Sequence, residues 1–272
     1  MTRFSGKSAL ITGSARGIGK ALAVKLAAEG AGVVINDIDG EPVAETVAEI
    51  IAMGGKAAAC AGDVTDPAFA DRFVQTALDH FGDIDIIVNN AGYATHAMIQ
   101  NATDDQFMGM LDVHLVAPFR VLRAAAPHIR ERAKAEAAAG QVKHRKVVNV
   151  SSGATRGTAG HSGYAAGKSG LIGLTNVVAR EWGRFSVNVN AVAFGLIRTR
   201  FNAPLAEGEE RILDIKNTKV VMGMSAERFA EVESGNALGR AGTPEEAAGA
   251  IYLLCCPESD FITGQTIWVT GG

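Results

Sequence analysis

A tyrosine and a lysine four residues apart, Tyr164 and Lys168 in GYAAGKSGLIGLTNVVAREWG, form the pair in this chain best suited to moving a proton. Residues at that spacing project from one face of a helix, so a phenol and an ammonium can share one small volume. A free phenol titrates near pH ~10, too high for ready exchange in neutral water, and an adjacent cation favours its phenolate. The spacing therefore predicts a lowered pKa for Tyr164 and a role as general acid or base. Upstream, VVNVSSG offers Ser151 or Ser152 to hold a substrate oxygen against the phenol. What the set lacks is a hydride carrier.

The stretch KSALITGSARGIGKALAVKLAAEGAGVVIND can supply one. It reads as an apolar strand, a turn with Gly13, Gly17 and Gly19, an amphipathic helix, and a second apolar strand ending at Asp37. Glycines let the backbone approach a pyrophosphate, and the helix N-terminus offers that anion unpaired N–H groups and a partial positive charge. The Gly-x-x-x-Gly-x-Gly spacing only partly matches the general dinucleotide fingerprint. Asp37, roughly 20 residues past the loop, stands where a ribose 2′-hydroxyl is expected to bond. Its charge would repel a 2′-phosphate, and no arginine occupies 38–40, so NAD is expected over NADP.

Together TGSARGIG, NNAG at 89–92, SSG with YAAGK, and the closing GRAGTPEEAAGAIYLLCCPESDFITGQTIWVTGG resemble the short-chain dehydrogenases/reductases over nearly the whole chain. The likeness is greatest to the 3-oxoacyl-carrier-protein reductase group. It implies hydride transfer between nicotinamide and a secondary alcohol or ketone, with a 3-oxoacyl or 3-hydroxyacyl thioester as the expected substrate. A polyol, sugar or steroid substrate is the alternative, and a nucleotide-binding scaffold or sensor without turnover is the reading from another class.

Residue by residue, the resemblance implies cofactor contacts from Gly13, Ser14, Arg16, Gly17, Ile18 and Gly19, from Asp37 and Ile38, and from Asp63 and Val64 beside the adenine. Asn90, Ala91 and Gly92 would face the cofactor ribose; bracing of the central strands is an equal reading for Asn90 and Gly92, and helix capping competes for Asp63. Ile197 and Thr199 match positions facing the nicotinamide carboxamide, Gly195 is a further cofactor contact, and Phe194 replaces a common proline and favours an apolar substrate. Ser152 is assigned to the substrate oxygen, Tyr164 to proton transfer, and Lys168 to both the ribose and the tyrosine. The loop from serine to tyrosine is one residue shorter than is common, which keeps Ser151 as an alternative. His114 stands where the family usually has an asparagine that positions a relay water. A histidine can bond water and exchange protons near neutral pH, so an altered relay and a lost relay both remain open. For His96 and His161, near the mouth, a surface or packing role is equally open. No set of histidines, cysteines and acids has zinc-site spacing, so no metal is expected.

Composition narrows the class further. The formal net charge is −3, and the short basic run KHRK at 143–146 reads as a solvated loop rather than a nucleic-acid footprint. Cys60, Cys255 and Cys256 cannot all pair, which suits a reducing cytosol. MTRFSGKSALITG enters the first strand without an apolar leader, and no run approaches 18 uninterrupted apolar residues. These features predict a cytoplasmic protein that engages neither membrane nor nucleic acid.

The positioning elements follow from alternation. ALIT, GVVIND, AAACAGD, IDIIVNN, KVVNVS, VNVNAVA and TIWV read as seven strands suited to a buried parallel sheet, with helices between them. The expected fold is a single α/β domain over 1–272, a Rossmann-type doubly wound sheet with helices on both faces and the crevice at the strands' carboxyl ends. Asp66–Pro67 and Thr243–Pro244 are read as the starts of the third and last helices. Residues 131–145 are read as extending a surface helix and then looping. Residues 200–236 interrupt the alternation with two short amphipathic patterns and form a candidate substrate lid, an oligomer contact being the competing reading. Excess apolar surface on SGLIGLTNVVAREWG and GQTIWVTGG, with the resemblance, implies a homotetramer built from the helices after NNAG and around Tyr164 together with the C-terminal segment.

Overall fold

Ser8–Ile11, Gly32–Ile35 and Ile86–Asn89 are buried at every position, as expected of strands covered on both faces. They are β1, β2 and β4 of a computed structural model that describes residues 2–206, 209, 211–215 and 218–272. With β3 (Lys56–Ala59), β5 (Arg145–Ser152), β6 (Val187–Phe194) and β11 (Thr266–Val269) they form a 7-stranded sheet in the order β11-β6-β5-β4-β1-β2-β3. Every pairing in it is parallel.

Side-chain alternation splits the core in two. Ile11, Ile35, Val88 and Val150 face one way, against α1 (Gly17–Ala28), α2 (Gly40–Ala52) and α8 (Pro244–Cys255). Leu10, Val34, Ile87 and Val147 face the other, against α3 (Phe69–Phe81), α5 (Ala117–Ala138) and α6 (Ser162–Trp182). Between β4 and α5 lie α4 (Asp104–Leu111) and a π-helical turn, Asp112–Val116. The strand order reverses at β1, which opens the crevice beside its carboxyl end. The doubly wound sheet, its seven strands and its single domain are therefore as the sequence predicted.

Local departures have identifiable causes. Thr243 caps α8 in a reciprocal box with Glu246, but α3 begins at Phe69 rather than Pro67. Asp66 instead accepts the Ala68 N–H at 3.0 Å in a turn ahead of that helix. In 200–236 only one amphipathic pattern is helical, α7 (Ala226–Ser234). The other is a strand pair, β8 (Arg211–Ile215) and β9 (Thr218–Met222), antiparallel with Ile212 opposite Val221; its β-branched residues suit a strand better than a helix. The small strands β7 (Pro204–Leu205) and β10 (Met224–Ser225) pair at its base. Positions 207, 208, 210, 216 and 217 of the candidate lid lie outside the described residues.

The basic run is not a solvated loop. Arg145 and Lys146 open β5 and are 1% and 4% exposed. Arg145 makes a fork to Glu136 with both contacts at 2.8 Å, reaches Asp83 at 3.4 Å and donates to the Ile84 carbonyl. Lys146 donates to Asp260 at 2.6 Å. Lys143 bridges Asp83 and Asp85 at 2.9 and 2.7 Å. Burial alone would raise the Asp83 carboxyl, but hydrogen bonds from Lys143, His128 and the Ile84 amide outweigh it and hold the group well below the carboxylate range. A depressed carboxylate contributes stability above its unfolded pKa, near ~4, and loses it as pH falls through the folded value. Removing Arg145 would leave Asp83 and Glu136 in poor solvent. Arg145→Ala should cost about 3–5 kcal/mol in urea unfolding, while Arg132→Ala, at the half-exposed rim, should cost less than about 1 kcal/mol. Equal effects would show that the buried fork is not the anchor.

Candidate active site

Helix α1 begins at Gly17 with no side-chain cap and no acid in its first turn, so its unpaired N–H groups and positive dipole end face outward. Gly17 has φ +54°, and a Cβ there would meet only Thr199 Cγ2, at 3.9 Å. Gly13 and Gly19 also meet a packing need: a Cβ at Gly13 would stand 2.8 Å from Ala91 Cα, and one at Gly19 2.3 Å from the Gly13 carbonyl. Asn90 ties this loop to β4, donating to the Thr12 and Gly13 carbonyls at 3.0 and 2.9 Å. An uncapped helix start with open space on one side fits a pyrophosphate.

Ser14 is turned away from that space. It is fully buried, donates to the Ile11 carbonyl at 2.7 Å and accepts the Asn36 N–H at 3.0 Å. Asn36, unmarked in the sequence reading, accepts the Gly13 N–H and donates to the Cys60 and Gly62 carbonyls, so it fastens the loop to β2 and β3. Asp63 accepts both the N–H and hydroxyl of Thr65 at 2.8 Å, and Val64 is buried.

Beside the loop, the Asp37 carboxylate accepts the Ile38 N–H and lies 3.8 Å from the Arg16 guanidinium. Arg16 donates to Asp39 at 2.7 Å. Burial raises the Asp37 carboxyl above its ordinary value, with the charges of Arg16 and then Arg200 pulling it down. The fold thus brings two arginines from distant sequence to the place where 38–40 offers none. Ile38 is exposed.

The proposed catalytic group assembles where β5 overruns its neighbour β4. Asn89 ends β4 opposite Asn149, whereas β5 continues to Ser152, in register with Phe194 of β6. Ser152 accepts the Ala154 N–H at 3.1 Å, and its hydroxyl is near enough to the Tyr164 phenol to lower that phenol's pKa. Ser151 is buried and donates to the Lys168 carbonyl at 3.0 Å. The structure therefore brings Ser152, not Ser151, to the tyrosine. Lys168 is 4% exposed, its ammonium 2.6 Å from the Val150 carbonyl and 5.9 Å from the Tyr164 ring centroid.

The electrostatics differ from the sequence expectation. Burial raises the Tyr164 phenol above its ordinary value, and the influence of the nearby Ser152 hydroxyl only partly opposes this. Burial also pushes Lys168 down to about 7, so this ammonium is not a permanent cation beside the phenol. His114 is buried in the π-helical turn, its ring 4.8 Å from that of Tyr164. Burial and then the Lys168 charge hold its pKa well below the usual imidazole value. His96 and His161 pack edge to face at 5.3 Å, and His161 lies 5.9 Å from the Tyr164 ring.

Farther along the crevice, Gly195 permits close approach to β11, since a Cβ would stand 2.9 Å from Thr270 Cα. Ile197 is buried in the core beneath the crevice, and Thr199 faces Gly17.

The chain is similar to known proteins along its length. The family model described as short chain dehydrogenase matches residues 7–210, and one described as enoyl-(acyl carrier protein) reductase matches 215–272. The chain is 35% identical over 264 residues to the (2S)-[(R)-hydroxy(phenyl)methyl]succinyl-CoA dehydrogenase subunit BbsD of Thauera aromatica, covering 97% of this chain and 95% of that one. It is 32% identical to the 3-oxoacyl-[acyl-carrier-protein] reductase FabG of Escherichia coli, covering 99% and 98%. A short-chain dehydrogenase/reductase structure from Serratia marcescens superposes with a TM-score of 0.83 at 28% identity, covering 99% and 98%. The chain belongs to the short-chain dehydrogenase/reductase family and is an oxidoreductase that transfers hydride between a nicotinamide cofactor and a CH–OH or keto carbon of a small molecule. Within that family it resembles the 3-oxoacyl-[acyl-carrier-protein] reductases. Among the described residues no helix is long and apolar enough to cross a membrane.

Proposed function

We propose that the protein interconverts a 3-oxoacyl and a 3-hydroxyacyl thioester with NAD(H). The observation that carries the chemistry is the placement of the Ser152 hydroxyl and the Tyr164 phenol close to one another, beside the buried Lys168. Ser152 holds the substrate oxygen, and Tyr164 exchanges a proton with it. Lys168, when charged, favours the phenolate and so lowers the cost of that exchange. The uncapped start of α1 would hold the pyrophosphate, with Asp37 at the adenosine ribose and Lys168 at the nicotinamide ribose. The bound nicotinamide supplies or accepts the hydride. Thioester chemistry is supported by the names of the BbsD and FabG relatives and by buried, apolar Phe194 at the end of β6.

The preference for NAD rests on charge balance. Asp37 and Asp39 offset Arg16 and Arg200, and Arg16 is already hydrogen-bonded to Asp39, so the cluster has no surplus cation for a 2′-phosphate. We read 200–236 as a lid on the substrate side and the assembly as a homotetramer. Exposed Phe119 on α5, Val177 on α6 and Ile267 on β11 lie on the elements expected to meet a neighbour.

Three measurements test this reading. Tyr164→Phe keeps the ring but removes the transferable proton, so turnover on acyl thioesters should fall by about 10² or more while nucleotide still binds; ordinary turnover would remove Tyr164 from the chemistry. NADH should bind more tightly than NADPH in a direct titration, and Asp37→Ala should shrink the gap by roughly 1–3 kcal/mol. Equal affinities in the unaltered protein would end the NAD assignment. Sedimentation should give about four times the 28.3 kDa chain mass, and an active monomer would overturn the assembly.

A further inference from the structure

The basic run at 143–146 borders a cavity at the end of the sheet opposite the crevice. It holds about 220 Å³ and lies at the amino ends of β1, β4 and β5, where Lys7, Asp85 and Lys146 line it. From Lys146 to Ser152 is six residue steps, about 20 Å along β5, so this space is separate from the crevice. One water needs about 10–15 Å³, and pockets for drug-sized ligands run to about 300–1,000 Å³. The space suits a small molecule.

The acids lining the cavity are already matched. Asp260 is met by Lys146, whose three N–H donors are all used, on Asp260 at 2.6 Å and on Asn188 and Ser259 at 3.1 Å each. Asp85, 2% exposed, accepts the Ser8 N–H at 2.9 Å, Lys143 at 2.7 Å and Lys7 at 3.3 Å. The donors are not matched. Lys7 spends one N–H on Asp85, and Lys143 spends one there and one on Asp83 at 2.9 Å, so among the described residues two remain on Lys7 and one on Lys143.

The charges agree with the donors. Through their shared pairs Lys7, Arg132, Lys143 and Arg145 meet Asp83, Asp85 and Glu136, four cations for three carboxylates. Burial alone would lower the Lys143 ammonium, but its hydrogen bonds to Asp85 and Asp83 outweigh this and raise it, so it stays charged. Phe4 and Ile86 add an apolar wall beside these donors. Lysines act on phosphate as point charges from any direction, without the planar fork that a carboxylate favours. We propose that this cavity is a second binding site, for a phosphate group held by Lys7 and Lys143, either free or on a small monoester whose carbon end rests on Phe4 and Ile86. Its occupant would tie the lead into β1 to the connection before β5, and so stabilise the fold without entering the chemistry.

Thermal unfolding of the intact protein in inorganic phosphate, with sodium chloride at equal ionic strength as reference, tests the site. The midpoint should rise saturably, by roughly 2–5 °C once phosphate exceeds its Kd about tenfold, with kcat at saturating nucleotide unchanged. Lys7→Met and Lys143→Met should each weaken binding about tenfold, and Lys7→Arg should retain it. Because Lys143→Met also loosens Asp83, each variant is read against its own phosphate-free midpoint. In NMR of isotope-labelled lysine, the Lys7 and Lys143 signals should shift with the same saturation. Ethyl phosphate binding more tightly than inorganic phosphate would assign the monoester, and equal binding the free ion. A phosphate response undiminished in both Met variants would place the anion elsewhere, such as at the start of α1, and overturn the site. Absence of a saturable response, or an equal one to acetate, would overturn it as well.

Discussion

Two hydrogen bonds between the end of β5 and the first turns of α6 set the geometry on which the site depends. Ser151 donates to the Lys168 carbonyl, and the Lys168 ammonium donates to the Val150 carbonyl. Together they fix the distance between strand and helix, and with it the position of Tyr164 over Ser152. A serine hydroxyl with a main-chain partner is a short tether with few alternative geometries. Its neighbour Ser152 is left at the strand's last position with its hydroxyl turned to the phenol. The doubled serine thus divides its work, one member holding the scaffold and the other, in the proposed function, meeting the substrate oxygen.

The glycine loop follows the same economy. Its outward face is left open at Gly17, and its inward face is filled by Ser14, Asn36 and Asn90, whose hydrogen bonds saturate the surrounding carbonyls. A loop that must approach an anion closely cannot hold itself with bulky side chains on that side, so its rigidity comes from behind. Lys168 shows the cost of such placement. Its ammonium is desolvated with no carboxylate against it among the described residues, and its pKa drops to about 7. A group placed for chemistry is here held against its own solvation preference.

Much of this was legible in the chain because it depends on local order. Apolar runs gave the strands, and the Tyr-x-x-x-Lys spacing put two side chains on one helical face. Ser152 was preferred to Ser151 only by resemblance, because their structural difference arises when α6 packs on β5. Lys168 and Tyr164 were read as a lowered phenol by spacing alone, yet burial of both groups reverses the direction for the phenol. Arg145 and Lys146 looked like surface charge because their acids come from residues 83, 136 and 260, far away in sequence. Arg200 and Arg16 reach Asp37 by the same long-range route. His114 was visible as a departure, but its burial against the Tyr164 ring was not. The strand pair within 200–236 was ambiguous for another reason: short apolar runs fit a helix or a strand until neighbours decide.

Strand β5 carries both the Arg145 fork at its first residue and Ser152 at its last. Seven residue steps along a parallel strand span about 23 Å. Across that length a unit charge at an effective dielectric of 20 contributes only about 0.7 kcal/mol, and physiological salt, with a Debye length of about 8 Å, reduces it further. The ionic anchor and the proton chemistry are therefore electrostatically insulated from each other along one continuous strand. Substitutions around the crevice can alter what the enzyme accepts without loosening the fork, and the fork can be strengthened without retuning the phenol. The sheet works as a spacer as much as a scaffold, and the separation leaves specificity free to drift over a fold whose stability is decided elsewhere.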